Sequence, residues 1–508
     1  VNRIIELLTT DLRHLIRDLG RDGGMISPSV YDTAQTVRLA PPDEGVWPAL
    51  NWLISQQHAD GGWGDPVVPR ARDVPTLAVV LALSAHQQRR AVRESLHAGI
   101  AFLRRQAAHW SGPLPEDIPI GIELLLPALL DEAARQGIAL PTRPYAELIA
   151  LGARRRALIA RLQPGAGSTA VHSWEAWGTQ PHPELLDTAV SIGHSPAATA
   201  AWAAAAAAAQ ADAAIAARRY LERAAAATGT GIPGVVPTVF PIARFENLFG
   251  LYALMMTDLL DAPIFADEVH AQINAMRAAL RPNGYSFSDH FDPDGDDTAA
   301  ALTLLIHRGQ PVDLNILRWY AKDGHFCTWQ HELQSSLSAT ARAAHTLVVA
   351  GAPVEQHLEY LAEWQTVDGR WIGDKWNSSW LYTTSHVVQS LAPVPSYGER
   401  LNLAFETLLA YQKADGGWGA NGHSTPIETA YGVMTLRTLR HHEAFHERVN
   451  ASLERARRYL QAYYRPCIDD QTMCWIGKEM YRPYRVDRAF EVSALLALEL
   501  DHDALPTG

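Results

Sequence analysis

Three copies of one short pattern constrain this chain more than any other feature. Gln57-His58-Ala59-Asp60-Gly61-Gly62-Trp63, Gln365-Thr366-Val367-Asp368-Gly369-Arg370-Trp371 and Gln412-Lys413-Ala414-Asp415-Gly416-Gly417-Trp418 all read QxxDGxW. The last two begin 47 residues apart, room for one antiparallel helix pair, so the pattern predicts stacked helical hairpins. In each copy the glutamine ends a helix and Asp-Gly makes a turn that needs a permissive backbone. The tryptophan then packs back over the turn with its N–H available for a bond. The role is structural rather than catalytic.

The rest of the chain agrees with a nearly all-helical fold. Apolar residues recur at three and four in Pro119–Ala134, Thr298–Arg308 and Glu428–Leu439, and alternating β-type segments are scarce. Ser195-Pro196 reads as an N-cap followed by proline at the first helical position, and Thr425-Pro426-Ile427-Glu428 has capping-box spacing. The alanine tract after Ser195 reads as a tightly packed helix, because alanine is the best helix former. At 508 residues, two or three domains are expected. A composition of 47% hydrophobic and 19% charged residues excludes wholesale disorder, and a net charge of −12 argues against a nucleic-acid partner. The three cysteines, Cys327, Cys467 and Cys474, form no disulfide framework or CxxC zinc pattern, which fits a reducing, cytoplasmic home. No signal-peptide core or long apolar run is seen, so stable membrane insertion is not expected.

Chemistry is concentrated in Asp292-Pro293-Asp294-Gly295-Asp296-Asp297-Thr298-Ala299, where Asp294, Asp296 and Asp297 form a DxDD pattern before an apolar helix. Alone it could be a solvated acidic turn or a calcium loop, although the glutamate that an EF-hand needs further along is missing. DxDD-Thr-Ala together with three QxxDGxW copies resembles the class II terpene cyclases, and the length is similar to that of the bacterial class II diterpene cyclases. The resemblance covers most of the chain. It extends to Ser27–Ala34 with Tyr31-Asp32-Thr33-Ala34, to Gly121-Ile122-Glu123 with Pro127, and to His172-Ser173-Trp174-Glu175. Asp374-Lys375-Trp376 with Tyr382-Thr383-Thr384, and Glu428-Thr429-Ala430-Tyr431, match as well.

This resemblance implies an all-α fold of two α/α double barrels, β and γ. Residues 1–22 would be the first helix of the β domain, 23–238 an inserted γ domain, and 239–508 the rest of β, with substrate between the barrels. It implies protonation of a terminal alkene by the middle aspartate, Asp296, flanked by Asp294 and Asp297. A carboxyl that donates near neutral pH must be held in its acid form against roughly three units, about 4 kcal/mol. Neighbouring carboxylates and burial favour the acid, whereas a helix N-terminus favours the anion. Some of the 15 Trp, 16 Tyr and 11 Phe would line the cavity, because aromatic faces stabilise a cation without attacking it. A DDxxD ionisation motif is missing: Asp469-Asp470 and Asp296-Asp297 both lack its second half, so the diphosphate should survive. The resemblance points to Glu123 as a Mg²⁺ ligand and to Lys375, one of four lysines, as a diphosphate contact. Arg154-Arg155-Arg156 and Arg161 read better as a solvated helix face.

Four departures from the family pattern carry expectations. Gly295, in place of an apolar residue, predicts a more mobile acid loop. Gln35 follows the Tyr31–Ala34 segment where relatives have tryptophan. Thr340 falls where many relatives place an asparagine that bonds the catalytic acid. In relatives that stop at a copalyl skeleton, a histidine and an asparagine remove the last proton. Here His172 is paired with Pro237-Thr238-Val239-Phe240-Pro241, and Thr238 would hold a water or the imidazole less securely. The expected reaction takes geranylgeranyl diphosphate to a bicyclic diphosphate of labdane, halimane or clerodane type, and Thr238 favours the rearranged types, such as kolavenyl diphosphate, over unrearranged copalyl diphosphate. A drimenyl diphosphate synthase acting on farnesyl diphosphate is the alternative. A squalene-hopene cyclase, a zinc-dependent prenyltransferase subunit and a helical-repeat binding protein fit the residues less well.

Overall fold

The computed structural model describes residues 3–115, 118–330, 332, 334–440, 445–465 and 472–503. Cys467 and the Asp469-Asp470 pair lie outside these. Among the described residues the only strands are two short hairpins, Ala321–Lys322 with His325–Phe326 and Trp475–Ile476 with Met480–Tyr481. Helices make up the remaining regular structure.

The first barrel is a closed inner ring. Helix Ala243–Met256 packs on Gly295–His307, which packs on Leu337–Val349, then Trp380–Leu391, Pro426–Leu439 and Tyr484–Asp503, which returns to Ala243–Met256. Pro426–Leu439 buries all but two of its residues, so it presents no polar face. An amphipathic outer layer covers the ring, as one-sided helices must. Within it, Arg3–Asp18 buries Ile5, Leu8, Leu12 and Ile16 against Ala243–Met256, Ala266–Ala279 and Tyr484–Asp503. Arg3–Asp18 thus completes the outer layer of a barrel whose other helices lie more than 200 residues further on.

The second barrel closes less regularly. Val30–Leu39 packs on Asp73–Ser84, and Asp73–Ser84 on Ile122–Arg135. The next member is a 3-10 segment, Thr169–Ala176, which leads to Pro196–Ala206 and back to Val30–Leu39. The alanine tract is that packed helix, with Ser195 accepting a bond from Ala198 N at its N-cap.

The repeated turn has one geometry in all three copies. The indole N–H of Trp63, Trp371 and Trp418 donates to the carbonyls of Leu53, Leu361 and Leu408 at 2.6, 2.6 and 2.8 Å. The glutamine Nε2 bridges its own turn to the next outer helix, reaching Ser95, Arg400 and Ser452 carbonyls at 2.9 Å each. Gly61, Gly369 and Gly416 sit at φ 89, 91 and 93°, which a side chain would strain. The tryptophan backbone N–H donates to a threonine one helix turn into the following inner helix: Thr76, Thr384 and Thr429.

That last bond exposes two copies the sequence pattern hides. Phe326 N donates to Thr340 (3.2 Å) and Tyr285 N to Thr298 (2.8 Å), each at a positive-φ glycine turn, Gly324 and Gly284. Asp323-Gly324-His325-Phe326 and Asn283-Gly284-Tyr285 have lost the glutamine and the tryptophan but kept the turn and its threonine. Thr340 therefore belongs to the repeat: its hydroxyl is spent on Phe326 and Ser336, and it does not take the acid-bonding part of the asparagine found there in relatives.

Candidate active site

Between the barrels lies a cavity of about 490 Å³. Asp294, Asp296, Asp297, Glu123, His172, Thr238 and Lys375 all line it, from segments spread over some 250 residues of chain. Phe245, Phe287, Phe291, Trp329, Trp376, Trp475 and Tyr481 supply aromatic faces. Several pack edge-on, with Phe245–Trp475 at 5.2 Å and Trp329–Trp376 at 5.4 Å between centroids. Such a wall is apolar and attracts positive charge.

The acid motif opens helix Gly295–His307. Asp294 is its N-cap and accepts from Asp297 N at 2.8 Å, which spends its carboxylate on the orphan amide rather than on solvent. Gly295 N donates to Thr328 O at 2.8 Å, and a Cβ on Gly295 would lie 2.2 Å from the Cys327 carbonyl. Glycine here permits close packing, so the expectation of a mobile acid loop is corrected. The loop is braced from the second barrel as well, through Asp292 N to Gly167 O at 2.9 Å.

Asp296 is held by Arg342, whose Nε and Nη2 each donate to one carboxylate oxygen at 2.5 Å in a bidentate fork. The Arg342 side chain is wholly buried, and each of its three nitrogens donates at least one bond. Nη1 donates to Tyr382 OH at 2.8 Å and Nη2 to Ser338 Oγ at 3.3 Å, and the guanidinium lies over Phe249 and Tyr382. Asp374 in turn accepts from Ser336 and Ser338 at 2.8 and 3.0 Å, which anchors the start of the helix carrying Arg342. The position that sequence comparison assigns to an asparagine partner is thus served two residues on, by an arginine. Its signal was a lone arginine inside the otherwise uncharged helix Leu337–Val349, among small and apolar neighbours. Burial, then the Asp296 charge, pushes Asp294 up to about 8; burial also holds Asp297 well above the carboxylate range. Burial thus favours the protonated form at both carboxyls beside the clamped one.

Glu123 stands in the first turn of Ile122–Arg135, 7% exposed, and its Oε2 has no partner among the described residues. Burial pushes its carboxyl above the usual carboxylate range, and a backbone hydrogen bond and then the Arg155 charge oppose that. Helix Ala146–Leu162 comes close enough at Gly152 that a Cβ there would sit 2.0 Å from the Glu123 carbonyl. This approach puts Arg155 on the cavity wall, half-buried, which corrects its assignment to a solvated face. Lys375 is committed: its Nζ pairs with Glu332 and donates to Gln334 O at 3.0 Å. Among the described residues, no cluster of three or more His, Cys, Asp or Glu could hold a metal by itself.

His172 lies on the 3-10 segment. Its Nδ1 donates to the Gly193 carbonyl at 2.7 Å, which leaves Nε2 as the lone-pair nitrogen. Burial first, and the Lys478 charge second, push it down to about 3, so the imidazole is neutral. Thr238 does not orient it. The threonine hydroxyl is buried without a partner among the described residues, and the Gly193 carbonyl does the orienting.

Sequence reading missed Lys478. The hairpin Trp475–Ile476/Met480–Tyr481 docks its turn into the second barrel, where Lys478 Nζ donates to Glu175 Oε1 and Ser195 Oγ at 2.6 Å each. Tyr31 OH donates to the same Glu175 oxygen at 2.9 Å, and Asp32 accepts from Ala197 N at 3.0 Å. The Tyr31–Ala34 and His172–Glu175 motifs are thereby joined at one buried seam. Gln35 belongs to it through a 3.3 Å bond from Nε2 to Tyr31 OH.

Known proteins agree with this architecture. A family profile described as the squalene-hopene cyclase C-terminal domain matches residues 335–438. A (+)-kolavenyl diphosphate synthase of Herpetosiphon aurantiacus is 47% identical, with 98% of each chain covered. An ent-copalyl diphosphate synthase of a Streptomyces species is 30% identical over 94% of this chain and 93% of that one. Among solved structures, the ent-copalyl diphosphate synthase from Streptomyces platensis superposes with a TM-score of 0.79 at 29% identity, covering 97% of this chain and 99% of that one. With two closed α-barrels, a buried DxDD acid motif on the cavity between them and relatives matched along nearly their whole length, the chain belongs to the class II diterpene cyclases.

Proposed function

We propose that the protein protonates the terminal alkene of geranylgeranyl diphosphate, closes two rings and releases a bicyclic diphosphate of halimane or clerodane type. The observation that carries this is the Arg342 clamp on Asp296 at the wall of an aromatic, interbarrel cavity. Asp296 acts when it holds a proton drawn from the buried Asp294–Asp297 pair beside it, and that O–H bond breaks as a C–H bond forms at the terminal alkene. The fork then stabilises the carboxylate that remains, with no reorganisation needed at that moment. Alkene electron pairs close the rings, and a C–H pair finally forms the new double bond as its proton passes to the Asp296 carboxylate. Seven aromatic side chains line the cavity in which the cation is carried.

Glu123 is the residue that would hold a magnesium ion, its unpartnered buried oxygen fitting a hard cation completed by phosphate oxygens and water. The part of such an ion is to neutralise diphosphate charge. Arg155 shares the wall, and Lys375 reaches the diphosphate by leaving Glu332. Rearrangement is supported by the neutral His172, a weak acceptor for an early proton loss, and by the kolavenyl-forming relative.

Incubation with geranylgeranyl and farnesyl diphosphates, then phosphatase and mass analysis, tests the reading. A rearranged bicyclic C20 alcohol, found only after phosphatase treatment, is expected. Exclusive turnover of the C15 substrate, or release of pyrophosphate, overturns it. Glu123→Ala or removal of divalent metal should raise KM about tenfold while the product keeps its diphosphate.

A further inference from the structure

The ammonium of Lys478 is an unusual neighbour for a carbocation. Its side chain is 2% exposed, and it alone among the groups of the Tyr31–Glu175–Ser195 network lines the cavity. Its nearer counter-charge, Glu175, stands on the same 3-10 segment as His172, three residues away, and Asp32 Oδ1 lies 3.9 Å from the ammonium. The neutral nitrogen able to accept an early proton, His172 Nε2, and a fixed positive charge are therefore placed on the same stretch of wall.

We propose that Lys478 determines how far the cation cascade runs before a proton is lost. The proposal rests on the cyclisation described above. Once two rings have closed, the bicyclic cation has two exits. In the first, a C–H bond beside the cationic carbon breaks, its electron pair forms a double bond, and the proton passes to His172 Nε2. That exit makes an imidazolium next to a buried ammonium, and like charges at short range in a low-dielectric site oppose it. In the second, hydride and methyl groups move with their electron pairs to the adjacent cationic carbon, so positive charge travels away from Lys478. The last proton then leaves from the far ring to Asp296, the carboxylate produced by the first step, which restores the acid. No oxidant or further reactant is needed. The weak basicity of His172, to which Lys478 contributes, agrees with this division.

Product analysis of the full-length enzyme with geranylgeranyl diphosphate and Mg²⁺ tests the proposal. Lys478→Met should raise the ratio of unrearranged to rearranged product about tenfold. Lys478→Arg keeps the charge and should keep the wild-type ratio. Glu175→Gln removes the nearer counter-charge while keeping a hydrogen-bonding partner, and should leave the ratio unchanged or lower it. A purely structural role for the ion pair would move Lys478→Met and Glu175→Gln in the same direction, which overturns the proposal. So does an unchanged ratio in Lys478→Met. Should that variant not accumulate folded, Lys478→Gln, which retains donors for Glu175 and Ser195, carries the same expectation. Wild type that leaves the substrate untouched or releases pyrophosphate fails the cyclase reading itself. Wild type that rearranges with an unaltered ratio in the neutral variant fails this proposal alone.

Discussion

The two barrels share one turn and differ in how regularly it recurs. In the first, the glycine turn and its threonine return at Tyr285, Phe326, Trp371 and Trp418, and each return starts an inner helix of the ring. In the second, the full turn occurs at Trp63, and the ring closes through the irregular segment Thr169–Ala176. The division of chemistry follows. The regular barrel holds the acid, because Asp296 and Arg342 sit on adjacent inner helices whose spacing the repeat enforces. The irregular one presents His172 and Glu175 from a 3-10 segment, and the carbonyl of Gly193, in the loop before Pro196–Ala206, orients His172. Rigid repetition suits a proton donor that must be clamped, and irregular closure suits a wall that can vary with product.

That contrast can be broken most sharply at the acid. Asp296→Asn should lower turnover by about a thousandfold or more, with the thermal unfolding profile close to wild type. Retained turnover above a few per cent would remove the first barrel's claim to the chemistry. Arg342→Lys should follow at about a hundredfold, because an ammonium cannot reproduce the bidentate fork, and it should lower the melting temperature too. Wild-type kcat in that variant would show that the clamp is only structural.

The second barrel should respond in product rather than rate. His172→Ala should change turnover less than about tenfold yet reduce any unrearranged component, and Thr238→Asn should increase it by supplying an amide beside the imidazole. A large rate loss with an unaltered product mixture would reverse the roles of the two barrels.

The smallest effect lies in pH. Asp294, from an ordinary value of 3.8, and Glu479, from 4.5, are each pushed up to about 8, with burial the first cause. Their folded values exceed their unfolded ones, so the folded state binds the protons more tightly. The stability this contributes is complete below about pH 4 and is lost as pH rises through 8. The melting temperature should therefore drop by about 5 °C between pH 7 and 9, and Asp294→Asn with Glu479→Gln should flatten the slope. A melting temperature that rises over that interval would contradict the burial of these carboxyls.

Much of the fold was legible because it is written locally. The turn needs glycine at positive φ, the caps need Ser195, Asp294 and Thr425, and the helical periodicity needs no distant partner. The acid motif was legible for the same reason, as consecutive residues at one helix start. Degenerate copies at Tyr285 and Phe326 escaped because the motif's side chains had changed while its backbone bond to threonine had not. Gly295 was misread because its reason, the Cys327 carbonyl, is 32 residues away.

What the sequence by itself determined is thus the all-helical class, the repeated turn, the acid and the family to which they point. All of these rest on interactions within a few residues or on patterns of residue type. Tertiary structure alone decided which partner each charged group takes. Arg342 was chosen over Thr340 by the facing of two inner helices, and Arg155 was drawn to the cavity by close approach at Gly152. Lys478 was delivered to Glu175 across some 300 residues by a docked hairpin. Charges interact through space with whatever lies nearest, and in a closed barrel the nearest group is set by packing.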